Sequence, residues 1–306
     1  MTVIEYLPAE ANHVLICVNP TAGSGFRRRR RGIQQLERLL AESDFIAESY
    51  SDLDQLRIRS DQLQAAGQLR AVVGAGGDGT LHRLLNHLAA GIPLAMLPMG
   101  TENLLAKYVG QGSGPPGVAR MIKSGRIVRL DAGRADGQLF LLMATAGFDA
   151  EVARRLAMRR SGNISHLSYL RPILSAIFHY QYPVMRMTLE TQGAMRQIEA
   201  CWCFTFNVPQ YGFGMRFIPD ADPADGLLEM CTFRGGSFWH AVWYTLNLYL
   251  RRHTRLPGCQ ISAASRIMVE ADQPVPYELD GDFTGWLPVE LDVVPGRLTL
   301  VMPAEK

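Results

Sequence analysis

The sequence predicts an α/β N-terminal domain with a parallel sheet, followed by a mostly antiparallel, β-rich second domain. Three observations carry that prediction. In the first third of the chain a strand, a small-residue turn and a helix follow one another three times, the pattern of parallel strands whose loops line up at their carboxyl ends. From about Arg129 the rhythm changes to paired strands, with Asp136-Gly137 between two strand-like runs as a two-residue hairpin signal. At 306 residues the chain is long enough for two cores. The expected boundary lies between residues 128 and 129.

The first repeat opens with the apolar run His13 to Asn19, read as a buried strand, which enters the turn Pro20-Thr21-Ala22-Gly23-Ser24-Gly25. Ile33, Leu36, Leu39 and Leu40 then recur at helical spacing. In the second repeat Leu69 to Ala75 is the strand, and Leu81, Leu84, Leu85 and Leu88 mark the helix behind a Gly-Asp-Gly turn. The third runs from Leu94 to Pro98, breaks at Met99-Gly100-Thr101 and resumes as a helix near Glu102. Beyond the hairpin, strands are expected around Met185–Leu189, Cys201–Phe206, Ile267–Val269, Val289–Val293 and Leu298–Met302. Two apolar helical stretches interrupt them, Ile164 to Tyr180 and Phe238 to Leu250.

Composition excludes several functions. With 31 Lys and Arg against 29 Asp and Glu the net charge is +2, too small to draw the whole molecule to nucleic acid, and no nucleic-acid partner is expected. Cys17, Cys201, Cys203, Cys231 and Cys259 are odd in number and show no CxxC spacing, which argues against zinc and for a reducing cytoplasm. No basic head precedes the apolar part of the N-terminus, so no secretory signal is expected. The stretch Trp239 to Leu250 falls short of the roughly 20 residues a membrane-spanning helix needs.

Gly74-Ala75-Gly76-Gly77-Asp78-Gly79 formally matches the G-x-G-x-x-G of dinucleotide-binding folds. The match stands after the second strand rather than the first. Asp78 would also repel a pyrophosphate unless a cation lay between them. A plainer reading has the glycines making a tight turn while Asp78 caps the following helix. The neighbouring turns favour phosphate chemistry, because Asn19-Pro20-Thr21-Ala22-Gly23, Gly76-Gly77-Asp78-Gly79-Thr80 and Pro98-Met99-Gly100-Thr101-Glu102-Asn103 all end parallel strands. Backbone N–H groups at such turns bind phosphate, hydroxyls support it, and an aspartate holds Mg²⁺ directly or through water. Neither G-x-x-x-x-G-K-[ST] nor a protein-kinase H-R-D signature is present.

These three motifs, in this order and spacing, resemble the diacylglycerol kinase catalytic-domain family, which includes soluble bacterial diacylglycerol kinases and the sphingosine and ceramide kinases. Asp131-Ala132-Gly133, Ala146-Gly147-Phe148-Asp149, the run Phe206 to Met230 and Leu279-Asp280-Gly281-Asp282 extend the likeness over nearly the whole chain. The resemblance implies a fold of the NAD kinase/diacylglycerol kinase type, with the nucleotide in the inter-domain cleft. Domain one would cover residues 1–128 and be completed by about 295–306, leaving 129–294 as the lipid-substrate domain.

By the same resemblance, Asn19, Pro20, Thr21, Ala22, Gly23, Gly76, Gly77, Asp78, Gly79, Thr80, Thr101 and Asn103 would line ATP. Asp78 would serve its Mg²⁺, and Asp222, Asp225 and the backbone of Leu227 would hold a second, structural Mg²⁺. The family's D-G-E triplet supplies the carboxylate that activates a lipid hydroxyl. Here it reads Asp280-Gly281-Asp282, one methylene shorter at its end, so either Asp282 serves from a shifted loop or Asp280 takes the role.

The implied activity is an ATP- and Mg²⁺-dependent lipid kinase acting on diacylglycerol, a related glycerolipid or a sphingoid base, with peripheral membrane contact from the cytoplasm and a possible homodimer. The Arg27 to Arg31 run would face phosphates or acidic headgroups, or form a solvated helix face. The two apolar helices would be core or wall an acyl slot. NAD kinase is the rival enzyme, although its Asn-Glu pair appears here in reverse as Glu102-Asn103. A non-catalytic lipid or nucleotide sensor is the rival of another class.

Overall fold

The computed structural model describes residues 3–19, 26–112, 114–158, 176 and 180–303, with side chains left aside at 26–28 and 213. The chain divides into two compact units, Met1–Leu130 with Gly296–Lys306, and Asp131–Pro295.

In the first unit, after the short β1 (Ile4–Tyr6), strands β2 (His13–Val18), β3 (Ile46–Tyr50), β4 (Leu69–Gly76) and β5 (Pro93–Pro98) lie in the order β3-β2-β4-β5, all parallel. Every residue of β4 is buried, as expected of a central strand covered on both faces. The covering helices are α1 (Phe26–Ala41), α2 (Leu53–Ala65), α3 (Asp78–His87), α4 (Leu104–Tyr108) and α5 (Pro115–Ser124). Helix α1 turns Ile33, Leu36 and Leu40 inward, and α3 turns Leu81, Leu84 and Leu85 inward. Asp52 caps α2 by accepting from the amides of Asp54 and Gln55. Arg70, buried at the start of β4, fixes the opposite end of the unit by donating to the carbonyls of Pro8, Ile122 and Lys123 at 2.9 Å each. The last part of β17 (Val289–Val301) joins this sheet in parallel with β5, pairing Leu300 with Leu94.

In the second unit β6 (Arg126–Ala135) ends in a hairpin with β7 (Gln138–Phe140), and Ala135 pairs with Gln138 across Asp136-Gly137. Both turn residues have positive φ, 47° and 91°, the geometry of a type I′ turn. One antiparallel sheet runs β13 (Cys259–Ala264), β12 (Leu228–Phe233), β11 (Trp202–Phe206), β8 (Met143–Gly147), β15 (Pro276–Leu279), β16 (Asp282–Trp286). A second antiparallel set joins β10 (Ala194–Ala200), β9 (Met185–Thr191), β14 (Arg266–Ala271) and the first part of β17. Phe140, Met187, Leu189, Met230, Ile267 and Leu291 belong to the core that these strands share. Helices α6 (Phe148–Ala157) and α7 (Phe238–Tyr249) also belong to this unit.

Three expectations are corrected. The two closing strands foreseen at Val289–Val293 and Leu298–Met302 are one strand of 13 residues. The helix expected near Glu102 begins at Leu104 and lasts five residues. Helix α7 is not simple core, because Trp239, Trp243, Leu246 and Tyr249 are exposed. Most of the stretch Ile164 to Tyr180 lies outside the described residues.

Candidate active site

At the carboxyl end of the first unit's parallel strands the three turns are tied to one another. Asn19, which follows β2, donates through Nδ2 to Thr80 Oγ1 at 3.2 Å, joining the first turn to the second. The Arg29 guanidinium donates to the carbonyl of Asn19 at 3.1 Å, so one member of the arginine run supports this turn. The second and third turns meet through the backbone: the Met99 amide donates to the Gly76 carbonyl at 2.8 Å, and a Cβ on Gly77 would stand 3.1 Å from Gly100 Cα. From the other side a Cβ on Gly100 would stand only 2.7 Å from Gly77 Cα, so the approach depends on glycine there. Asn103, in the left-handed region at φ 49°, closes the third turn by accepting from the Gly100 amide and donating to the Gly100 carbonyl, both at 2.9 Å.

Asp78 does not cap its own helix. Gly77 is the N-cap of α3 and makes no side-chain cap bond, while the Asp78 carboxylate reaches α4 and accepts from the amides of Leu104 at 2.9 Å and Leu105 at 3.1 Å. Gly79 and Thr80 follow in the first turn of α3, and Thr101 stands exposed at the start of the third loop. Pro20, Thr21, Ala22 and Gly23 lie outside the described residues. Together, Asn19, Gly76, Gly77, Thr80, Gly100 and Asn103 gather backbone amides, a hydroxyl and the N-terminus of α3 at one edge suited to an anion, with Asp78 locking α4 beside it.

The second unit carries two clusters of acids. In the first, Asp131 is buried and accepts from the Gly226 amide at 2.8 Å, its own amide donating to the Pro223 carbonyl. Asp222 accepts from Ala224 and Asp225 from Leu227, so the turn is shaped by its own carboxylates. Burial raises the pKa of Asp225, and the charges of Asp222 and Asp131 raise it further. Glu229 rises to about 7 through burial and then the charge of Asp225, and its buried Oε2 has no hydrogen-bond partner among the described residues. Four clustered acids, two of them buried, with one unpartnered buried oxygen fit a hard cation. Among the described residues no three acidic, histidine or cysteine side chains form a ready metal cage. Backbone carbonyls and water would have to complete such a site. Glu229 was not singled out from the sequence, where it reads as one more residue of an apolar strand.

The second cluster surrounds the Asp280-Gly281-Asp282 turn. Asp280, itself at φ 50°, accepts from the amides of Leu141 at 2.8 Å, Leu142 at 2.7 Å and Met143 at 3.1 Å. Asp282 is exposed at the start of β16, and its carbonyl accepts from the Thr284 hydroxyl. Two residues before the turn stands Glu278, fully buried, accepting from the Gly281 amide and, at 2.8 Å, from the Thr145 hydroxyl. Thr145 also lies 3.2 Å from Asp149, whose other oxygen accepts from Tyr211 at 2.6 Å. Burial pushes Glu278 well above the usual carboxylate range, and the nearby Asp149 adds to the shift; burial also raises Asp149. The Thr145 hydroxyl has one proton and can donate to one carboxyl only. The other contact becomes a hydrogen bond when that carboxyl is itself protonated. Sequence reasoning missed Glu278, because a glutamate in a strand reads as solvent-facing.

A parallel α/β unit with linked phosphate-type turns, joined in one chain to an antiparallel unit rich in placed carboxylates, is the architecture of a two-domain phosphotransferase. Residues 13–135 match the diacylglycerol kinase catalytic domain, and residues 143–302 match the YegS C-terminal NAD kinase beta sandwich-like domain. The chain belongs to this family of diacylglycerol kinases and YegS-type lipid kinases. It is 28% identical over 241 residues to a diacylglycerol kinase of Mycobacterium tuberculosis, covering 76% of this chain and 77% of that one. The putative lipid kinase YtlR of Bacillus subtilis is 24% identical over 311 residues, covering 94% of this chain and 99% of its own. A putative diacylglycerol kinase from Bacillus anthracis has the same fold, with a TM-score of 0.72 at 21% identity over 95% of this chain and 97% of that one.

Proposed function

We propose that the protein is an ATP- and Mg²⁺-dependent kinase that phosphorylates the free hydroxyl of diacylglycerol or a closely related glycerolipid. The observation that carries this reading is the linkage of the three turns through Asn19–Thr80, Gly77–Gly100 and Asp78–Leu104/Leu105. Phosphoryl transfer asks little covalent chemistry of the protein and much positioning of charge, which such a cradle supplies. Amides and hydroxyls of Asn19, Gly76 to Thr80 and Thr101 hold the phosphates, joined by Pro20 to Gly23. Asn103 keeps the third turn in shape.

The lipid hydroxyl oxygen forms its bond to the γ-phosphorus while the bond from that phosphorus to the ADP oxygen breaks, and the hydroxyl proton passes to a carboxylate of the Asp280-Gly281-Asp282 turn. Both members remain candidates: three amides fix the Asp280 carboxylate but engage both of its oxygens, whereas Asp282 stands exposed at the start of β16, and the base is whichever comes within hydrogen-bond reach of the hydroxyl. Mg²⁺, when bound, neutralises phosphate charge. Asp78, whose two oxygens already hold amides, would serve it through water. Asp222, Asp225 and the Leu227 carbonyl, beside the unpartnered Glu229 oxygen, would hold the structural ion.

Since diacylglycerol resides in a bilayer, the enzyme meets its substrate at a membrane surface by peripheral contact. No described helix is long and apolar enough to cross a membrane. The deciding experiment is transfer of labelled phosphate from ATP, with and without Mg²⁺, to diacylglycerol, sphingoid bases and other lipids in mixed micelles, with NAD as a competing acceptor. Label in phosphatidic acid supports the reading. Label in NADP, or ATP binding without transfer to any lipid, overturns it in favour of a NAD kinase or a sensor.

A further inference from the structure

Helix α7 is apolar on both sides. Ala241, Tyr244 and Leu248 face inward, where Tyr244 stacks on Phe233 at 4.6 Å and meets Trp202 edge-on at 5.9 Å. The outward side carries Trp239, Val242, Trp243, Leu246 and Tyr249, and Leu250 continues it. These positions recur three and four apart, so they form one stripe. Trp239 is 76% exposed and Tyr249 73%, an unusual arrangement for side chains of their size. His240, Val242, Trp243 and Leu246 join Trp239 in lining an open apolar groove.

Two further features identify what covers this face. The first is charge. From Met230 to Val269, a run of 40 residues, there is no aspartate or glutamate, while Arg234, Arg251, Arg252, Arg255 and Arg266 all fall within it. Arg234, Arg251, Arg252 and Arg255 are exposed, and Arg251 and Arg252 directly follow the helix. The second is side-chain type. Tryptophan and tyrosine combine an apolar ring with a polar edge and concentrate at headgroup level, and a helix of 12 residues lies along such a boundary rather than through it.

We propose that α7 is a docking helix for anionic phospholipid surfaces. It lies in the plane of the bilayer, with Trp239, Trp243 and Leu246 entering the acyl boundary and Arg251, Arg252 and Arg255 meeting headgroup phosphates. The proposal rests on the lipid-kinase reading for its purpose, whereas the docking itself requires neither ATP nor turnover.

The test uses the full chain and sedimenting vesicles of phosphatidylcholine with about a third phosphatidylglycerol, without nucleotide. Wild type should bind, and lipids brominated near the headgroup should quench its tryptophan fluorescence. Trp239→Ser with Trp243→Ser should weaken binding at least ~10-fold at unchanged melting temperature, since both side chains are exposed. Arg251→Gln with Arg252→Gln should weaken it several-fold and flatten its salt dependence. With a short-chain acceptor dispersed as monomers the tryptophan variant should keep wild-type turnover, while turnover of vesicle-embedded acceptor falls. The proposal is overturned if wild type stays in the supernatant, if the tryptophan variant binds as wild type does, or if wild type is a dimer that this variant turns into a monomer. Vesicle binding with no lipid phosphorylated would leave the docking standing and sink the kinase reading.

Discussion

Gly77 and Gly100 face each other so closely that a Cβ on Gly100 would stand 2.7 Å from Gly77 Cα and 2.9 Å from Asn103 Oδ1. Gly77 Cα is backbone, and Asn103 Oδ1 is held in place by the Gly100 amide, so an added methyl group must push the second and third turns apart. Gly100→Ala is expected to lower ATP affinity more than ~10-fold by calorimetric titration and to lower the melting temperature. Gly79→Ala is the contrast, because an added methyl group there would meet nothing within 4 Å and alanine suits a helix better. Its melting temperature should hold or rise.

Asp78 links the same two turns through its charge. Asn at this position keeps one acceptor oxygen and turns an amide group toward either Leu104 N–H or Leu105 N–H, leaving one buried donor facing another. A loss of about 1–3 kcal/mol of stability is expected for Asp78→Asn. ATP binding should weaken in parallel, since α4 would no longer be held against the turn. Chemical denaturation and nucleotide titration of the same preparations check both. Wild-type stability with lost activity would instead confine Asp78 to ion binding.

Much of this arrangement is legible in the residues alone, and the reasons for the gaps are physical. The three repeats show because buried parallel strands such as Leu69 to Ala75 are continuous apolar runs, and the Asp136-Gly137 turn shows because few residue pairs accept two positive φ values. Strand Ile46–Tyr50 and helix Leu53–Ala65 do not show, because the strand is only partly buried and the helix has just three buried residues. The phosphate turns are readable as motifs, yet the partner of Asp78 lies 26 residues away and no local rule points to it. Glu278 is the clearest omission: its burial depends on Thr145 and Asp149, which sequence spacing does not bring together.

The two carboxylates of the Asp280-Gly281-Asp282 turn separate by their surroundings. If Asp280 accepts the hydroxyl proton, Asp280→Asn should reduce kcat by about 10²-fold or more while ATP still binds, with a stability loss like that of Asp78→Asn because an amide group would face one of its three N–H donors. Asp282→Asn should cost less, and Asp282→Glu should be close to wild type. Single-turnover transfer to diacylglycerol in mixed micelles distinguishes them. A larger loss for Asp282→Asn than for Asp280→Asn would move the base to the exposed residue.

Glu278 ties the chemistry of that turn to pH. Its carboxyl holds the Gly281 amide and shares Thr145 with Asp149, and burial raises the pKa of both acids above the ordinary 4.5 and 3.8. An acid raised in the folded protein binds its proton there more tightly than in the unfolded chain. Stability is therefore full below the unfolded values and declines as pH climbs from them toward the folded ones. Glu278→Gln removes one titrating group but leaves an acceptor for Gly281. The fall in melting temperature between about pH 5 and pH 8 should then be shallower in Glu278→Gln than in wild type. Thr145→Val deletes the shared hydroxyl and should lower stability at every pH, with the Gly281 amide exchanging faster with solvent. Parallel melting profiles of wild type and Glu278→Gln across that range would show that the buried pair does not titrate on folding, and would leave Glu278 a neutral spacer behind the turn.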